Sequence, residues 1–500
     1  PRSTPSNSSA ASDVYKRQEF KPLEKGKVGM YVCGPTVYGH AHLGHAKSYV
    51  SFDILVRYLR YLGYSVTYVQ NITDVGHLTD DADEGEDKIA AQAKKERTHP
   101  MALAEIYTRS FFEDMDRLNC VRPDISPRAS GHIIEQIELV KTLVEKEYAY
   151  EVNGSVYFDV SKFEEYGKLS GRNIEEMQAG VRVEVSPDKK SPVDFALWKK
   201  AEPNHIMQWP SPWGMGYPGW HLECSAMSMK YLGATIDIHG GGLENKFPHH
   251  ECEIAQSEAA NGVQFVRYWL HNNMVTVDGQ KMGKSLGNFI TLKDAFAGRP
   301  PLDTPIRPMV MRYFILTSHY RSPLDFSMGA LEAAGKGLER IENAVRRVRE
   351  SLRGTVEGAP SGQIQQLLDE TREKFLAEMD NDFNTAGAIG EMSAFTREVN
   401  RLMDEGDAVT RDGLEAVNQL YEQLGGQVLG IVTDESGRAV ESAGIESDLV
   451  DAMLEVREDL RKAGHYELAD GVRRRLSKLG VQVKDSADGP TWRFKKGAPS

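Results

Sequence analysis

Apolar side chains recur every three to four positions between residues 43 and 62, which predicts an amphipathic helix that ends at Gly63. The apolar positions are Leu43, Ala46, Val50, Ile54, Tyr58 and Leu62. A short apolar run over 29–34 stops at Pro35, and residues 64–72 are rich in Val, Tyr, Thr and Ile, so both segments are predicted to be strands. Strand, helix, strand forms a right-handed crossover unit with a ligand crevice at the strand ends.

The pattern changes after this unit. Residues 126–209 hold an amphipathic helix, 132–146, followed by alternating or Gly-rich segments, and we interpret the whole stretch as an insertion. Strand and turn patterns return at 236–242 and 268–277. The predicted sheet is therefore interrupted along the chain and completed after the insertion.

The fold predicted from these patterns is α/β: a Rossmann-like parallel-sheet domain with an insertion, then an α-helical domain and a small C-terminal domain. Helical spacing dominates 331–429 and, after a polar linker, 447–479. The first eighteen residues lack periodicity, so we interpret them as a non-native tail and expect the native chain to supply one more strand before Glu19. The expected divisions are the tail (1–18), the nucleotide-binding domain (19–125 and 210–300), the insertion (126–209), a contact region (301–330), the helical domain (331–433), the linker (434–446) and the C-terminal domain (447–500).

Composition places the chain among globular proteins. Hydrophobic residues make up 40% and charged residues 27%, which argues against disordered, collagen-like and membrane classes. No stretch approaches the roughly 20 apolar residues that span a bilayer, and no signal peptide is evident, so we expect a cytoplasmic protein without membrane contact. Four scattered cysteines are too few for a disulfide framework and favour metal ligation or free thiols.

The net charge of -13 gives no global basic surface for nucleic acid. Residues 471–500 differ, with eight Lys or Arg against two Asp, and the clusters 473–475 and 495–496 lie beside Trp492 and Phe494. This end is either a solvated helix face with a frayed tail or a nucleic-acid contact.

The sequence His42-Leu43-Gly44-His45 stands at the start of the first predicted helix. A helix N-terminus attracts phosphate, two imidazoles add hydrogen-bond donors, and Gly44 permits close approach. Two histidines near a helix start also occur often by chance. The motif alone is therefore compatible with an ATP site or with two histidines that have no such role.

Lys281-Met282-Gly283-Lys284-Ser285 follows a strand-like segment and the turn Asp278-Gly279. Two ammonium groups on such a loop can neutralise charge that develops on departing pyrophosphate, although an ordinary solvated loop fits a lone lysine pair equally well. A P-loop is excluded, because only three residues separate Gly279 from Gly283 where the motif requires four.

A metal site is a third candidate. His249 and Glu253 are four residues apart, so on a helix they share one face, and Cys33 and Cys224 could complete a tetrahedral zinc set. Cys252 is a rival fourth ligand, and buried structural cysteines with a surface His–Glu pair remain an alternative. A zincin is excluded because Ile254 occupies the place of its second histidine.

Together these signals resemble class I aminoacyl-tRNA synthetases, with His42–His45 similar to the HIGH signature and Lys281–Ser285 similar to KMSKS, where Gly283 replaces the usual Ser. The cysteinyl-tRNA synthetase family is resembled most closely, over nearly everything after Glu19. The matching segments are Cys33-Gly34-Pro35-Thr36-Val37-Tyr38, Asn71-Ile72-Thr73-Asp74, Gly219-Trp220-His221-Leu222-Glu223-Cys224-Ser225-Ala226-Met227, His239-Gly240-Gly241-Gly242, Phe247-Pro248-His249-His250-Glu251, His319-Tyr320-Arg321-Ser322-Pro323-Leu324, Asp382-Phe383-Asn384-Thr385 and Thr491-Trp492-Arg493.

The resemblance implies one Zn²⁺ per chain that takes the thiolate of L-cysteine as a further ligand, which would distinguish cysteine from serine without an editing domain. The implied zinc ligands are Cys33, Cys224, His249 and Glu253. Trp220 and His239 are implied to bind the substrate.

The resemblance also implies Mg²⁺–ATP as cosubstrate. The implied ATP-binding residues are Thr36, His42, Gly44, His45, Lys281 and Lys284, and the two histidines and two lysines among them are the implied catalytic residues. The departure at Gly283 removes a hydroxyl from the loop. We interpret the acidic segment 76–88 as a surface loop.

The implied partners are tRNA(Cys), L-cysteine and ATP, with no membrane and a monomeric chain. Region 301–330 would contact the tRNA stem, 331–433 would bind tRNA, and 447–500 would recognise the anticodon. Two alternatives remain. One is a cysteine:amino-sugar ligase of the mycothiol type, which has the same core without a tRNA-binding C-terminus, and the other is a non-catalytic tRNA-binding paralogue.

Overall fold

The structure is a computed structural model that describes residues 18–76, 87–173, 187–203, 205, 207–352, 357–405, 409–433, 442–478, 481–486 and 489–494. The expected tail, apart from its last residue, lies outside this description. The chain divides into two compact units, with the boundary between Thr433 and Asp434. Among the described helices, none is long and apolar enough to cross a membrane.

A four-stranded parallel sheet, in the order β2-β1-β8-β9, forms the centre of the first unit. Its strands are β1 (Lys27–Val32), β2 (Ser65–Gln70), β8 (Ile236–Gly242) and β9 (Val266–Asn272). Helix α1 (Leu43–Tyr61) makes the crossover from β1 to β2 and buries thirteen of its residues. The predicted strand, helix, strand unit and its parallel sheet are confirmed.

The segment between β2 and β8 carries helices and a second sheet. The helices are α2 (Lys88–Glu96), α3 (Pro100–Arg117), α4 (Ile133–Glu145) and α5 (Trp220–Leu232). The sheet is antiparallel, in the order β3-β4-β5-β7-β6, with strands β3 (Ala149–Val152), β4 (Ser155–Phe158), β5 (Phe195–Lys200), β6 (Trp209–Ser211) and β7 (Gly214–Pro218). The last strand therefore runs to Pro218, nine residues beyond the position where we expected the insertion to end.

Most of the acidic segment 76–88 lies outside the described residues. Asp87 is described, and it is not a surface residue: only 2% of it is exposed. Its carboxylate accepts hydrogen bonds from the backbone N–H groups of Gly76, Ile89 and Ala90. Asp87 is thus the N-cap of α2, which corrects its assignment to a surface loop.

A small sheet, in the order β11-β10-β12, follows β9. Its strands are β10 (Val275–Val277), β11 (Gln280–Lys281) and β12 (Leu324–Phe326). Asp278 and Gly279 form the two-residue turn between β10 and β11, with φ of 47° and 75°. Positive φ at both positions is the requirement of a type I′ hairpin, which favours Asp-Gly.

Helices complete the first unit. They are α6 (His249–Asn261), α7 (Leu292–Ala297), α8 (Pro308–Leu316), α9 (Met328–Ser351), α10 (Gly362–Asp380), α11 (Thr385–Glu405) and α12 (Arg411–Leu420), and Tyr421–Val428 is a π-helix. The predicted helical region is confirmed. Arg312 on α8 is fully buried and joins three parts of the unit, because its guanidinium contacts the Asp53 carboxylate and donates to the carbonyls of Leu118 and Leu429.

The second unit holds α13 (Ser442–Lys462), α14 (Tyr466–Lys478) and an antiparallel hairpin of β13 (Val481–Ser486) and β14 (Gly489–Phe494). The prediction of a last helical unit is right for the two helices but lacked the hairpin. Helix α13 also begins at Ser442, within the stretch that we interpreted as a linker up to residue 446.

Candidate functional site

Four of the predicted ligand side chains meet beside the carboxyl end of β1. Cys33 follows that strand, Cys224 lies on α5, and His249 and Glu253 lie on α6. One sulfur, nitrogen or carboxylate oxygen from each of these residues lies within 4.8 Å of all the others. On α6 the four-residue spacing gives a shared face, with His249 Nε2 3.3 Å from Glu253 Oε1. The structure therefore brings together residues that are up to 220 positions apart.

The backbone around Cys33 is tightly held. Its N–H donates to the carbonyl of Gly240 on β8 at 2.9 Å, and the N–H of Gly34 donates to Asn71 Oδ1 at 2.7 Å. A Cβ at residue 34 would lie 1.5 Å from the carbonyl oxygen of Asn71. Only glycine allows this approach, so Gly34 fixes the position of the Cys33 thiol.

Burial raises the pKa of three of the four candidate ligands. It raises the pKa of the Cys33 thiol to about 11 and raises the pKa of the Cys224 thiol as well. It also raises the pKa of the Glu253 carboxyl. Removing two thiolates and a carboxylate from water is unfavourable unless a cation compensates them, which is the environment of a structural or substrate-binding metal ion.

Cys252, the rival ligand, lies elsewhere. Its side chain is fully buried among the apolar residues of the insertion, and its sulfur lies 3.4 Å from Tyr166 Oη. Among the described residues, no potential metal group includes it. Of the two candidates, only Cys224 joins the cluster.

A second potential ligand group shares Cys33 and Glu253 and adds His239 and His250. His239 is fully buried, its Nε2 lies 2.8 Å from Glu253 Oε2, and its Nδ1 has no hydrogen-bond partner among the described residues. His250 Nε2 lies 3.3 Å from Cys33 Sγ, and its Nδ1 lies 2.8 Å from His271 Nε2. The sequence analysis did not select His250 or His271, although the doubled histidine in 247–251 was a visible signal for the first.

Trp220 begins α5 and stacks on the ring of His249, with 4.4 Å between ring centroids and 30° between the planes. His249 Nδ1 lies 2.9 Å from His221 Nδ1. Because Nδ1 is engaged on this side, Nε2 is the nitrogen that faces Glu253 and the cluster. Trp220 therefore contacts a candidate ligand and covers one side of it.

The two histidines of the first motif contact each other at the N-terminus of α1. His42 is the N-cap; its Nδ1 accepts from the N–H of Gly44 at 3.1 Å, and His45 Nδ1 accepts from the N–H of His42 at 3.2 Å. The ring centroids are 3.9 Å apart. Because Nδ1 accepts in both rings, the proton of each neutral imidazole is on Nε2, which can donate to an anion.

Burial, with a smaller contribution from His42, lowers the pKa of His45 well below its ordinary value, so its ring is neutral at physiological pH. A Cβ at Gly44 would lie 2.9 Å from His42 Cε1, so glycine is needed for this ring position. Thr36, another predicted ATP-binding residue, pairs with Thr73 in an isolated parallel bridge.

Lys281, of the second motif, is exposed on β11, at the start of the loop. Asn288 closes this loop, since its Oδ1 accepts from the N–H of Gly283 at 2.8 Å and its Nδ2 donates to the Lys281 carbonyl at 3.1 Å. Lys284 begins a 3₁₀ turn, Lys284–Leu286, and its side chain lies outside the description. The loop and the histidine pair lie on different elements, and α1 packs against β10.

Three family models match the chain in order. They are the class I (C) tRNA synthetase catalytic domain over residues 19–336, the DALR domain over 374–433 and the cysteinyl-tRNA ligase anticodon-binding domain over 446–493. A cysteine–tRNA ligase of Chlorobaculum tepidum is 55% identical over 96% of this chain and 97% of its own length, and one of Thermus thermophilus is 48% identical over 96% and 98%.

The chain belongs to the cysteinyl-tRNA synthetase family. The predicted resemblance is thereby confirmed, and family membership makes the chain a class I cysteine–tRNA ligase. The mycothiol-type ligase and the non-catalytic paralogue are not favoured, because the relatives match the chain over nearly its whole length, including the anticodon-binding domain.

Solved structures support the fold of this synthetase family. Methionyl-tRNA synthetase of Mycobacterium tuberculosis, in complex with methionyl-adenylate, superposes with a TM-score of 0.59 at 15% identity, over 82% of this chain and 92% of its own. A leucyl-tRNA synthetase of Agrobacterium radiobacter gives a TM-score of 0.59 at 14% identity, over 82% of this chain and 85% of its own. The predicted α/β fold with a helical domain is confirmed.

Proposed function

We propose that the chain activates L-cysteine with ATP, transfers it to tRNA(Cys), and selects the substrate thiol with one zinc ion held by Cys33, Cys224, His249 and Glu253. The observation that carries this proposal is the convergence of their four ligand atoms within 4.8 Å. Two sulfurs, one imidazole nitrogen and one carboxylate oxygen are a donor set that suits zinc.

When bound, zinc supplies a soft Lewis acid that favours a thiolate over a hydroxyl. The chain's own residues orient the site. His221 engages Nδ1 of His249, Trp220 stacks on the same ring, and His239 holds one oxygen of Glu253 at 2.8 Å. An apolar pocket separates near-isosteres by only ~1–3 kcal/mol, so this metal-based choice is what distinguishes cysteine from serine.

For the activation step we propose that the Nε2 protons of His42 and His45 donate to the phosphate oxygens of Mg²⁺–ATP. Both rings are held by backbone hydrogen bonds at Nδ1, so these donors need no reorganisation when negative charge develops. Thr36 and Gly44 belong to the same ATP site, and the ammonium groups of Lys281 and Lys284 neutralise the departing pyrophosphate.

The partners follow from the same proposal. The helical domain 331–433 and the C-terminal domain 447–500 bind tRNA(Cys), and region 301–330 contacts its stem. The exposed arginines 473–475 on α14 support this role, since phosphate contacts need such charges. We propose that the protein acts as a cytoplasmic monomer.

The test is exchange of labelled pyrophosphate into ATP with cysteine, with serine and after zinc chelation, followed by charging of tRNA(Cys). We expect exchange with cysteine alone, loss on chelation, recovery with added zinc, and charging. Exchange with serine at a similar rate would contradict zinc-based selection, and exchange without charging would contradict the tRNA partner.

A further inference from the structure

Lys47 is a buried lysine on α1, two residues beyond His45, and only 1% of it is exposed. Its Nζ donates to the backbone carbonyl of Ser322 and, at 3.4 Å, to that of Met274. Neither the zinc cluster nor the ATP-binding residues described above include this side chain. It nevertheless joins α1 to two segments that are more than 200 residues away.

Both acceptors belong to the small sheet that carries the Lys281 loop. Met274 immediately precedes β10, and Ser322 lies two residues before β12. The same Met274 carbonyl accepts from the N–H of Leu324 at 3.1 Å, which pairs the two strands. The Lys47 ammonium therefore contacts the root of the hairpin whose second strand ends at Lys281.

The residue before Ser322 is held by contacts of its own. Arg321 contacts the buried Asp382 carboxylate at 2.9 Å, and its own carbonyl accepts from Asn273 Nδ2 at 2.9 Å. The far end of the hairpin is fixed by Asp325, which accepts from Thr276 Oγ1 and the N–H of Gly279. Lys47 thus connects α1 to a rigid sheet rather than to a free loop.

Burying an ammonium group at this position is unfavourable unless its charge or its N–H donors make stabilising interactions. Its described hydrogen-bond partners are neutral carbonyls, and burial lowers the pKa of Lys47 to about 8. A methionine would fill similar space without the desolvation cost. Methionine cannot donate to the Met274 and Ser322 carbonyls, which precede two different strands.

We propose that Lys47 is a positioning residue for cysteinyl-adenylate formation, which fixes the histidine pair at the start of α1 relative to the hairpin that carries Lys281. The histidine pair and Lys281 act on the same triphosphate from different elements. A small shift of α1 relative to the hairpin would therefore move one of these groups away from the triphosphate. This inference rests on the proposed function, because it assigns Lys47 a role in that reaction. Lys47 would act through the histidine pair and the hairpin and would not contact the substrate.

The experiment compares the wild type with K47M, K47R and the control K141M, which removes a lysine from the exposed face of α4. Cysteine-dependent pyrophosphate exchange gives kcat and the two KM values, metal analysis gives bound zinc, and thermal unfolding gives Tm. For K47M we expect kcat to fall by about 10- to 100-fold and KM for ATP to rise, because misplacement of about 1 Å has such effects. KM for cysteine and bound zinc should not change.

K47R keeps the charge and the donors, so we expect it to retain at least about a third of the wild-type kcat. A general loss of folded protein would lower kcat without changing KM for ATP, and it would lower bound zinc in parallel. If K47M does not fold, K47Q, which keeps one donor group and no charge, is compared with K47R in the same assay.

Wild-type kcat and KM for ATP in a folded K47M or K47Q variant would overturn the inference, as would equal losses in K47R and K47Q. A wild type without cysteine-dependent exchange would instead contradict the proposed function. The two failures are therefore distinguishable.

Discussion

Cys224 and Cys252 are both buried thiols on adjacent helices, α5 and α6, yet their surroundings differ. Cys224 lies with Cys33, His249 and Glu253, whereas Cys252 packs among apolar residues beside Tyr166. At the scale of single residues, Cys252 is therefore a matched control for the proposed ligand Cys224, because the two cysteines have similar burial and different surroundings.

Replacing Cys224 with Ser should lower the affinity for zinc by at least about 100-fold, because a protonated hydroxyl is a poor substitute for a thiolate ligand. Replacing Cys252 with Ser should leave bound zinc at the wild-type level and cost about 1 kcal/mol of stability. Zinc stoichiometry after dialysis against a graded chelator measures both. Equal zinc loss in the two variants would contradict the assignment of Cys224.

The residues alone supported both cysteines, the family resemblance implied Cys224, and the structure brings only Cys224 into the cluster. Cys252 lies only three residues from His249 in the sequence, which made it a candidate ligand. On α6, however, His249 and Glu253 face the cluster, whereas the Cys252 side chain packs in the apolar core. The residues around the ligands were harder to predict. His271 stands alone in β9, and nothing in its neighbours indicates that it pairs with His250.

At the scale of elements, the loop after β11 shows why Gly283 is not required by the fold. A Cβ at residue 283 would have no neighbour closer than 3.9 Å, and φ there is not positive. Gly279 differs, because its φ of 75° belongs to the type I′ turn. A side chain is therefore tolerated at residue 283 but is unfavourable at residue 279.

We expect Gly283→Ser to fold with unchanged or slightly higher Tm, since it removes backbone freedom from the unfolded chain and fits the native loop. Cysteine-dependent pyrophosphate exchange should be equal to the wild-type rate or faster, because both lysines remain. Gly279→Ser should lower stability by about 1 kcal/mol. A Gly283→Ser variant that unfolds more easily than Gly279→Ser would contradict this description of the loop.

The elements themselves were largely predictable where periodicity was strong. Helix α1 and strand β8 have their predicted limits within one residue, because an apolar face or a continuous apolar run defines each of them. The β13–β14 hairpin was not predicted. Each strand has only two alternating apolar positions, Val481 and Val483 in the first and Trp492 and Phe494 in the second, so the signal is too short to separate from a polar tail.

At the scale of the whole molecule, the proposed activation sites and the basic face proposed to contact tRNA lie in different units, although the first unit also contains the helical domain proposed to bind tRNA. The proposed zinc and ATP sites lie within 18–433, whereas Arg473, Arg474 and Arg475 are exposed on α14 of the second unit. The net charge of -13, which describes the whole chain, does not indicate this local basic surface. Variants of these arginines can therefore test tRNA charging separately from amino-acid activation.

Replacing all three of these arginines with Ala should raise KM for tRNA(Cys) by about tenfold at moderate ionic strength and weaken the salt dependence of charging, because fewer phosphate contacts remain. Pyrophosphate exchange in the same preparation should stay at the wild-type rate and serves as the control. Charging that is unaffected at every salt concentration would contradict a tRNA-contacting role for this face.

The buried guanidinium of Arg312 also leads to an expectation about how the first unit unfolds. Asp53 on α1, the loop after α3 and the end of the helical domain all meet at this one group. Separating the helical domain from the sheet would break the hydrogen bond from the buried Arg312 guanidinium to the Leu429 carbonyl, and that loss makes partial opening unfavourable. We therefore expect the sheet and the helical domain to unfold together, in a single calorimetric transition.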